Sequence, residues 1–126
     1  MITYSIFFDK RFSEAFTRLV ELPMKPALSQ KFSKMAETIS SAEQSFGEEY
    51  GAIVKECVKL DDTGNPVTTD NGGVVIAEDK TEYYKNSIAE LKQKPIQGVV
   101  PVYISDLGDD IKISPKDLGI LREVLV

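Results

Sequence analysis

Apolar residues recur at helical spacing through the centre of the chain, and this pattern predicts one long amphipathic helix. After Pro26 every step between apolar positions is three or four residues, as on one face of a helix. The positions are Leu28, Phe32, Met35, Ile39, Ala42, Phe46, Tyr50, Ile53, Cys57 and Leu60. We therefore predict a helix over residues 27–60, about 50 Å long at 1.5 Å per residue.

The chain before this helix predicts a strand and a short helix. Residues 2–8 (Ile-Thr-Tyr-Ser-Ile-Phe-Phe) are β-branched and aromatic, a composition typical of a strand. From Arg11 onward apolar residues return at helical spacing, and Pro23 and Pro26 end that run. An N-terminal strand followed by a short helix is therefore expected.

Two turn signals after the long helix predict a β-hairpin. Residues 64–66 (Gly-Asn-Pro) end the helix. Asn71 and Gly72 tolerate the positive φ of a type I′ turn, and short β-prone runs lie on either side of them. We therefore expect a hairpin over residues 67–76.

The last third of the chain predicts helices and short strands. Tyr84, Ile88 and Leu91 recur at helical spacing. The run at residues 99–104 is β-rich, and its proline suits an edge strand. Ser114 begins a capping box that starts a terminal helix. The expected elements are a helix over residues 79–93, strands over 99–104 and 111–113, and a helix over 115–124.

Composition favours a single α+β domain over residues 1–126. The chain is long enough to bury a core, and its residues are 42% hydrophobic and 28% charged, as in globular proteins. No apolar run approaches the roughly 18 residues that a membrane span needs. The N-terminus lacks the basic region of a signal peptide, and Cys57 is the only cysteine, so we expect an intracellular protein.

Charge is unevenly distributed along the chain. Residues 1–40 carry six basic and four acidic side chains, whereas residues 41–126 carry nine basic and sixteen acidic ones. The net charges of +2 and −7 argue against a phosphate-binding surface on the acidic part. The cations of residues 1–40, which include Lys31 and Lys34, could form a modest basic patch, but a solvated helix face is the preferred interpretation. We therefore expect no direct nucleic-acid partner.

The residue types that most catalytic sites need are absent or poorly placed. The chain has no histidine, so it lacks the usual base of a catalytic triad and a classical zinc site. No glycine loop of a nucleotide-binding type is present. Cys57 lies on the apolar stripe of the long helix, where a buried thiol is inert. We expect a protein that is not an enzyme and needs no cofactor or metal.

Two acidic segments leave alternatives open. Residues 61–65 (Asp-Asp-Thr-Gly-Asn) are similar to the start of a calcium loop, but Pro66 and Gly72 occupy the positions that need glycine and a bidentate carboxylate. The second segment is a loop whose carboxylates would suit a hydrolase or nuclease with a divalent metal. Its acidic residues are Asp106, Asp109 and Asp110.

The long helix predicts association with another protein. A compact domain of this size has a radius of gyration of about 14 Å, so a helix of about 50 Å needs a partner to cover its excess apolar stripe. Gly47 and Gly51 lie one turn apart and suit a bend or a close approach of another backbone. Of the adjacent Tyr83 and Tyr84, one ring is expected in the core and the other at the surface, where an exposed tyrosine can anchor an interface. The predicted interface residues are Phe46, Gly47, Tyr50, Gly51 and Tyr83, and we expect a homo-oligomer.

The order of these motifs resembles that of small proteins of tailed bacteriophages that have no assigned activity. The resemblance rests on Leu22-Pro23, on residues 59–67 (Lys-Leu-Asp-Asp-Thr-Gly-Asn-Pro-Val), on the Asn-Gly turn, on the helix of Tyr84 and Leu91, and on residues 104–107 and 113–118. Residues 94–100 depart from that pattern. The resemblance implies an origin and assigns no site residue.

Function is therefore expected from binding and not from catalysis. The leading hypothesis is a non-enzymatic phage accessory protein, a virion or assembly component that binds phage or host proteins. The alternative is a host-directed inhibitor or anti-defence protein that blocks an enzyme or sequesters a nucleotide. Either protein would act in the host cytoplasm, and the first would also enter the virion.

Overall fold

The computed structural model describes residues 2–126 and is mostly helical. Of the described residues, 58% are helical and 8% form isolated β-bridges, and no sheet is present among them. The predicted α+β class is therefore wrong. The α-helices are α1 (Lys10–Val20), α2 (Pro26–Cys57), α3 (Thr81–Lys92) and α4 (Pro115–Ile120), with 3₁₀ turns at Tyr4–Phe8, Glu78–Lys80 and Ile104–Asp106. None of the helices within residues 2–126 combines the length and the apolar character that crossing a bilayer requires.

The predicted N-terminal strand over residues 2–8 is wrong, because this segment forms a 3₁₀ turn. The hydroxyl oxygen of Thr3 accepts a hydrogen bond from the Ser5 N–H at 3.4 Å and caps the turn. A 3₁₀ turn stacks residues three apart, and the rings of Tyr4 and Phe7 accordingly lie 5.8 Å apart. The β-prone composition reflects packing here, since Tyr4 and Ile6 are buried.

The predicted β-hairpin over residues 67–76 is also wrong. The chain reverses at Gly72, whose φ is 81°, but only Thr68 and Val74 pair across the turn. The residues on either side pair instead with the segment that follows α2, through Val58–Ile76 and Leu60–Pro66. Because each short segment divides its backbone hydrogen bonds between two others, no ladder of consecutive pairs forms.

The predicted strands over residues 99–104 and 111–113 are wrong for lack of partners. In the first, only Val102 forms a bridge, parallel to Leu125. Pro101 has no N–H to extend that pairing. No bridge among the described residues involves the second segment.

The C-terminal helix is shorter than the predicted 115–124, because α4 ends at Ile120. The last residues instead bond to the segment that contains Val102. The Val126 N–H donates to the Val102 oxygen at 3.0 Å, and the Ile104 N–H donates to the Val126 oxygen at 2.9 Å. Residues 121–124 form a turn, in which the Leu125 N–H donates to the Leu121 oxygen at 2.9 Å, and only the residues at the very end of the chain pair with Val102.

The chain divides into two compact units with very different cores. The first unit is Met1–Glu43 with Lys94–Val126, and the second is Gln44–Gln93. Residues 2–126 contain eighteen buried hydrophobic side chains, and all but two of them lie in the first unit. The exceptions, Cys57 and Leu91, are in the second unit. The single domain predicted from composition stays a prediction.

A bidentate ion pair joins α1 to α4 within the first unit. The Arg18 Nε and Nη2 atoms donate to the two Asp117 carboxylate oxygens at 2.9 and 2.7 Å. The Asp117 side chain is only 12% exposed. The backbone N–H of Asp117 donates to the hydroxyl of Ser114, the N-cap of α4. The hydrogen bond from the Arg18 guanidinium holds the pKa of Asp117 below its ordinary value of 3.8.

Asp117→Asn should lower the melting temperature at neutral pH, because it removes the charge that Arg18 binds. Since the folded-state pKa is lowered, the stabilisation is present above pH 3.8 and is lost as the pH falls through the lowered value. The difference in melting temperature between wild type and variant should therefore shrink below pH 3.8, as measured by circular dichroism. As a control, Glu14→Gln breaks the exposed Lys10–Glu14 pair and should change little. A difference that does not vary with pH would contradict this role.

Two glycines lie within α2 without a packing reason among the described residues. Gly47 and Gly51 are exposed, and a Cβ built on either would meet no atom within 4 Å. The buried side chains of α2 are Leu28, Phe32, Met35, Ile39 and Cys57, so neither glycine is among its packed positions. Each glycine costs helix stability that no neighbouring atom within residues 2–126 explains.

Gly47→Ala and Gly51→Ala should each stabilise the folded chain by about 0.5–1 kcal/mol, because alanine loses less backbone entropy in a helix. Urea denaturation would measure the change. Gly72→Ala is the matched control, since a side chain at its φ of 81° is strained and should destabilise by about 1 kcal/mol. Destabilisation by the two helical substitutions would show that these glycines meet contacts beyond those described.

Candidate functional site

Phe46 and Tyr50, two of the predicted interface residues, take part in the packing of the second unit. Their rings lie 5.7 Å apart, and both side chains are half-buried. The Tyr50 hydroxyl shares a hydrogen bond of 3.1 Å with the Tyr84 hydroxyl on α3. This hydrogen bond, together with burial, raises the pKa of Tyr84 to about 12. The hydrogen bond between Tyr50 and Tyr84 links α2 to α3 within the unit.

Gly47 and Gly51, two more predicted interface residues, lie on an open side of α2. No described part of the chain approaches either glycine closely enough to need the absence of a Cβ. The backbone of both residues is helical, so neither marks a break in α2. Their predicted role in an interface stays a prediction.

Tyr83, the remaining predicted interface residue, presents an aromatic ring on an acidic surface of the second unit. The side chain is 48% exposed, and its hydroxyl donates to Glu56 Oε2 at 3.1 Å. Glu90 is exposed two turns further along the same side of α3. The Lys80 ammonium donates to the main-chain oxygen of Glu56 at 3.2 Å and keeps its positive charge beside these two carboxylates, so the local net charge is −1. We call the surface of Glu56, Tyr83 and Glu90 the Tyr83 face.

Residues 61–65, the candidate calcium loop, form a turn in which an Asp61 carboxylate oxygen accepts hydrogen bonds from within the turn. Asp61 Oδ1 accepts hydrogen bonds from the Thr63 hydroxyl at 2.6 Å, the Thr63 N–H at 2.9 Å and the Asn65 N–H at 3.0 Å. The hydroxyl contact is the main reason that the pKa of Asp61 lies below its usual range. The polar residues here close a turn between Leu60 and Pro66, which pair with each other as an isolated bridge.

In the first unit, a cleft lies between α2 and the segment that follows Gly98. Its cavity measures about 360 Å³, within the range of small binding sites. Val100 and Tyr103, which are 73% and 63% exposed, form one wall of this cavity. Lys31 and Lys34 of α2 stand opposite. We call this site, with Met35 and Asp106 at its sides, the loop cleft.

Gly98 and the pairing of Val102 hold the wall of the loop cleft in place. Gly98 has a φ of 86°, and a Cβ there would lie 3.6 Å from the Thr38 methyl group of α2, so the chain turns close to the helix. Val102 is buried and hydrogen-bonded to the C-terminal segment. With Val102 anchored inward, Val100 and Tyr103 are left at the surface.

The charges of the loop cleft are not neutralised by neighbouring side chains. Within the described residues, Lys31 and Lys34 take part in no ion pair, and neither does Asp106. Two ammonium groups and one carboxylate give the cavity a local charge of +1. An apolar wall beside free cations suits a partner that carries both apolar and acidic groups.

A larger cavity of about 720 Å³ continues from the loop cleft and shares Lys31 and Asp106 with it. The carboxylates of the hydrolase alternative line this cavity, since Asp109 and Asp110 lie at its edge as well. Nowhere in residues 2–126 are three acidic, histidine or cysteine side chains placed to hold a metal ion. The geometry gives the metal-dependent alternative no support.

An aromatic groove of about 430 Å³ is a further concave surface of the first unit. Its lining includes four phenylalanines, and Phe8 is 45% exposed. Asp9 is engaged with Arg11, and Lys10 pairs with Glu14 at 3.8 Å. The apolar side chains that form the wall of the loop cleft are therefore more exposed than Phe8, and its lysines, unlike Asp9 and Lys10 of the groove, take part in no ion pair among the described residues.

The loop cleft was not found from the sequence, because its two sides lie more than sixty residues apart along the chain. Lys31 and Lys34 read as an ordinary solvated helix face. The sequence does contain one signal of an exposed apolar surface. A single edge segment cannot bury all of Val100, Val102, Tyr103 and Ile104.

No protein-family model matches the chain, and no curated protein or solved structure is significantly similar to it.

Proposed function

We propose that this chain is a non-enzymatic protein that acts by binding another protein through the loop cleft. The observation that carries the proposal is the pair of exposed side chains, Val100 and Tyr103, beside the unpaired cations of Lys31 and Lys34. Exposed apolar groups that adjoin one another are typical of interaction sites, and tyrosine is a frequent anchor of interfaces. Charged groups at the rim add specificity.

The apolar surface near the cleft extends beyond the cavity itself. Ile104 is 45% exposed and Val126 is 52% exposed, and their backbones are hydrogen-bonded to each other at 2.9 Å. Because Ile104 follows Tyr103 directly, these side chains enlarge the surface available to a partner. A partner that covers them would remove further apolar area from water, at roughly 25 cal/mol per Å².

The biological setting remains the proposal drawn from the resemblance to small phage proteins. A virion or assembly component would use the cleft to bind a phage structural protein, and a host-directed inhibitor would use it to bind a host enzyme. The identity of the bound protein separates these two settings. Mass spectrometry of purified virions would show independently whether the chain travels in the particle.

Photo-crosslinking from the cleft tests the proposal in cells that naturally express the chain. A benzophenone side chain at position Tyr103 should form a covalent adduct with one protein, because an exposed aromatic anchor touches its partner. Mass spectrometry identifies the adduct. The double variant Val100→Ser/Tyr103→Ser should then weaken binding of that protein by roughly tenfold or more.

Two controls make this outcome specific to the cleft. A benzophenone at Arg122, which is exposed on the same unit but does not line the cleft, should not form the adduct. Val20→Ser removes an apolar side chain that is 40% exposed outside the cleft, and should leave binding unchanged. If Tyr103 gave no adduct, or if both positions gave the same adducts, the cleft would not be the binding surface.

A further inference from the structure

We propose that the partner of the loop cleft is a second copy of this chain, which inserts its Tyr83 face. This inference rests on the proposed function of the cleft and names the protein that fills it. One copy contributes Tyr83, Glu56 and Glu90 from its second unit. The other copy contributes the lysines and the apolar wall of its first unit. The contact is therefore head to tail.

Charge complementarity is the first argument for a second copy. The second unit carries ten acidic and five basic side chains, a net charge of −5, whereas the first unit carries ten of each. The entire net charge of the chain therefore resides in one unit. The cations of the loop cleft are unpaired, so a carboxylate surface of another copy can reach them without breaking an existing ion pair.

The chemical match between the two surfaces is the second argument. Tyr83 is half exposed, and Lys31 and Lys34 border a cavity whose other wall is Val100 and Tyr103. An aromatic ring gains from apolar contact and from an ammonium group over its face. The carboxylates of the Tyr83 face flank the ring and can meet both lysines. Asp106 opposes this arrangement, but the two cations outnumber it.

A head-to-tail contact has a specific consequence for assembly. Because the two surfaces differ, each bound copy still offers one free cleft and one free Tyr83 face. Assembly therefore continues beyond the dimer, either as an open chain or until a ring closes. A symmetric dimer, by contrast, would consume the same surface on both copies and stop.

Two variants, each blocked at one surface, test this arrangement by sedimentation velocity. The cleft variant is Lys34→Glu/Tyr103→Ser, and the face variant is Tyr83→Ser/Glu90→Lys. All four side chains are exposed, so folding should be preserved, which circular dichroism and melting temperature would verify. Wild type should form species that grow with concentration. Each variant alone should associate at least roughly tenfold more weakly.

An equal mixture of the two variants gives the decisive result. The face variant keeps an intact cleft and the cleft variant keeps an intact Tyr83 face, so together they form one good contact. The mixture should yield a dimer and nothing larger. Failure of the mixture to associate, or association of either variant alone at wild-type strength, would overturn the proposal.

Matched controls separate specific contact from a change of net charge. Arg122→Glu and Glu123→Lys alter exposed charges that belong to neither surface, by the same amounts as Lys34→Glu and Glu90→Lys, and should assemble like wild type. Added salt should weaken wild-type assembly, because it screens pairs between exposed charges. Compaction that is independent of concentration would show that the Tyr83 face folds onto the cleft of its own chain, and would also overturn the proposal.

The inference and the proposed function fail in distinguishable ways. If purified wild type stays monomeric while Tyr103 crosslinks to a different protein in cells, the second copy is wrong and the binding function stands. If purified wild type stays monomeric and Tyr103 forms no adduct, both are wrong. If the mixed variants form a dimer, both are supported.

Discussion

The unequal burial of apolar side chains is the constraint on which the rest of this structure depends. The first unit buries the opening stripe of α2, including Phe32 and Met35, together with side chains from α1 and from the C-terminal segment. In the second unit only Cys57 and Leu91 are buried. Because burial of apolar area is the main favourable term in folding, the first unit is well supported and the second is not.

This contrast assigns different physical roles to the two units. In the first unit, a packed core fixes Val102, and the anchored backbone around it holds Val100 and Tyr103 at the surface beside α2. A binding surface on such a frame loses little entropy when it is filled. In the second unit, Leu60, Val74 and Tyr83 stay exposed because too few elements surround them. Contact with a partner would supply the burial that this unit cannot provide for itself.

Helices could be predicted from the sequence because their signal is local. The steps of three and four residues from Leu28 to Cys57 belong to one continuous segment, and the proline and capping residues that bound the helices lie next to them. The structure accordingly has helices near each place where that spacing occurs, with ends that differ by a few residues. This agreement covers the helical elements only.

The strand predictions are wrong because a strand forms only when another segment pairs with it. The segments around Val74 and Val102 have the residue types of a strand. Within residues 2–126, however, Val74 bridges only to Thr68, and Val102 bridges only to Leu125. The composition of residues 2–8 is explained equally well by a capped 3₁₀ turn with buried Tyr4. A β-prone composition therefore indicated packing in these segments and not sheet formation.

The candidate site could not be predicted from the sequence, because it depends on contacts between residues that are far apart along the chain. The pair of Arg18 and Asp117, which fixes α4 against α1, joins residues 99 positions apart, and nothing in the sequence matches one to the other. The loop cleft likewise needs Lys34 and Val100 to meet in space. Tyr83 was identified as an interface residue because a paired tyrosine motif on a short helix leaves one ring outside. Its acidic neighbour Glu56 comes from another helix and was not foreseen.

The distribution of charge bears on which contacts between copies are possible. Two second units, each with a net charge of −5, repel when their Tyr83 faces approach, and like charges across an interface disfavour such a pairing. The first unit has no net charge, and the lysines of its cleft are free to meet carboxylates. In the proposed assembly, the acidic surplus that disfavours face-to-face pairing would direct the Tyr83 face towards the cleft. The acidic charge of the second unit and the free cations of the cleft complement each other, and that complementarity favours the proposed head-to-tail contact over a symmetric one.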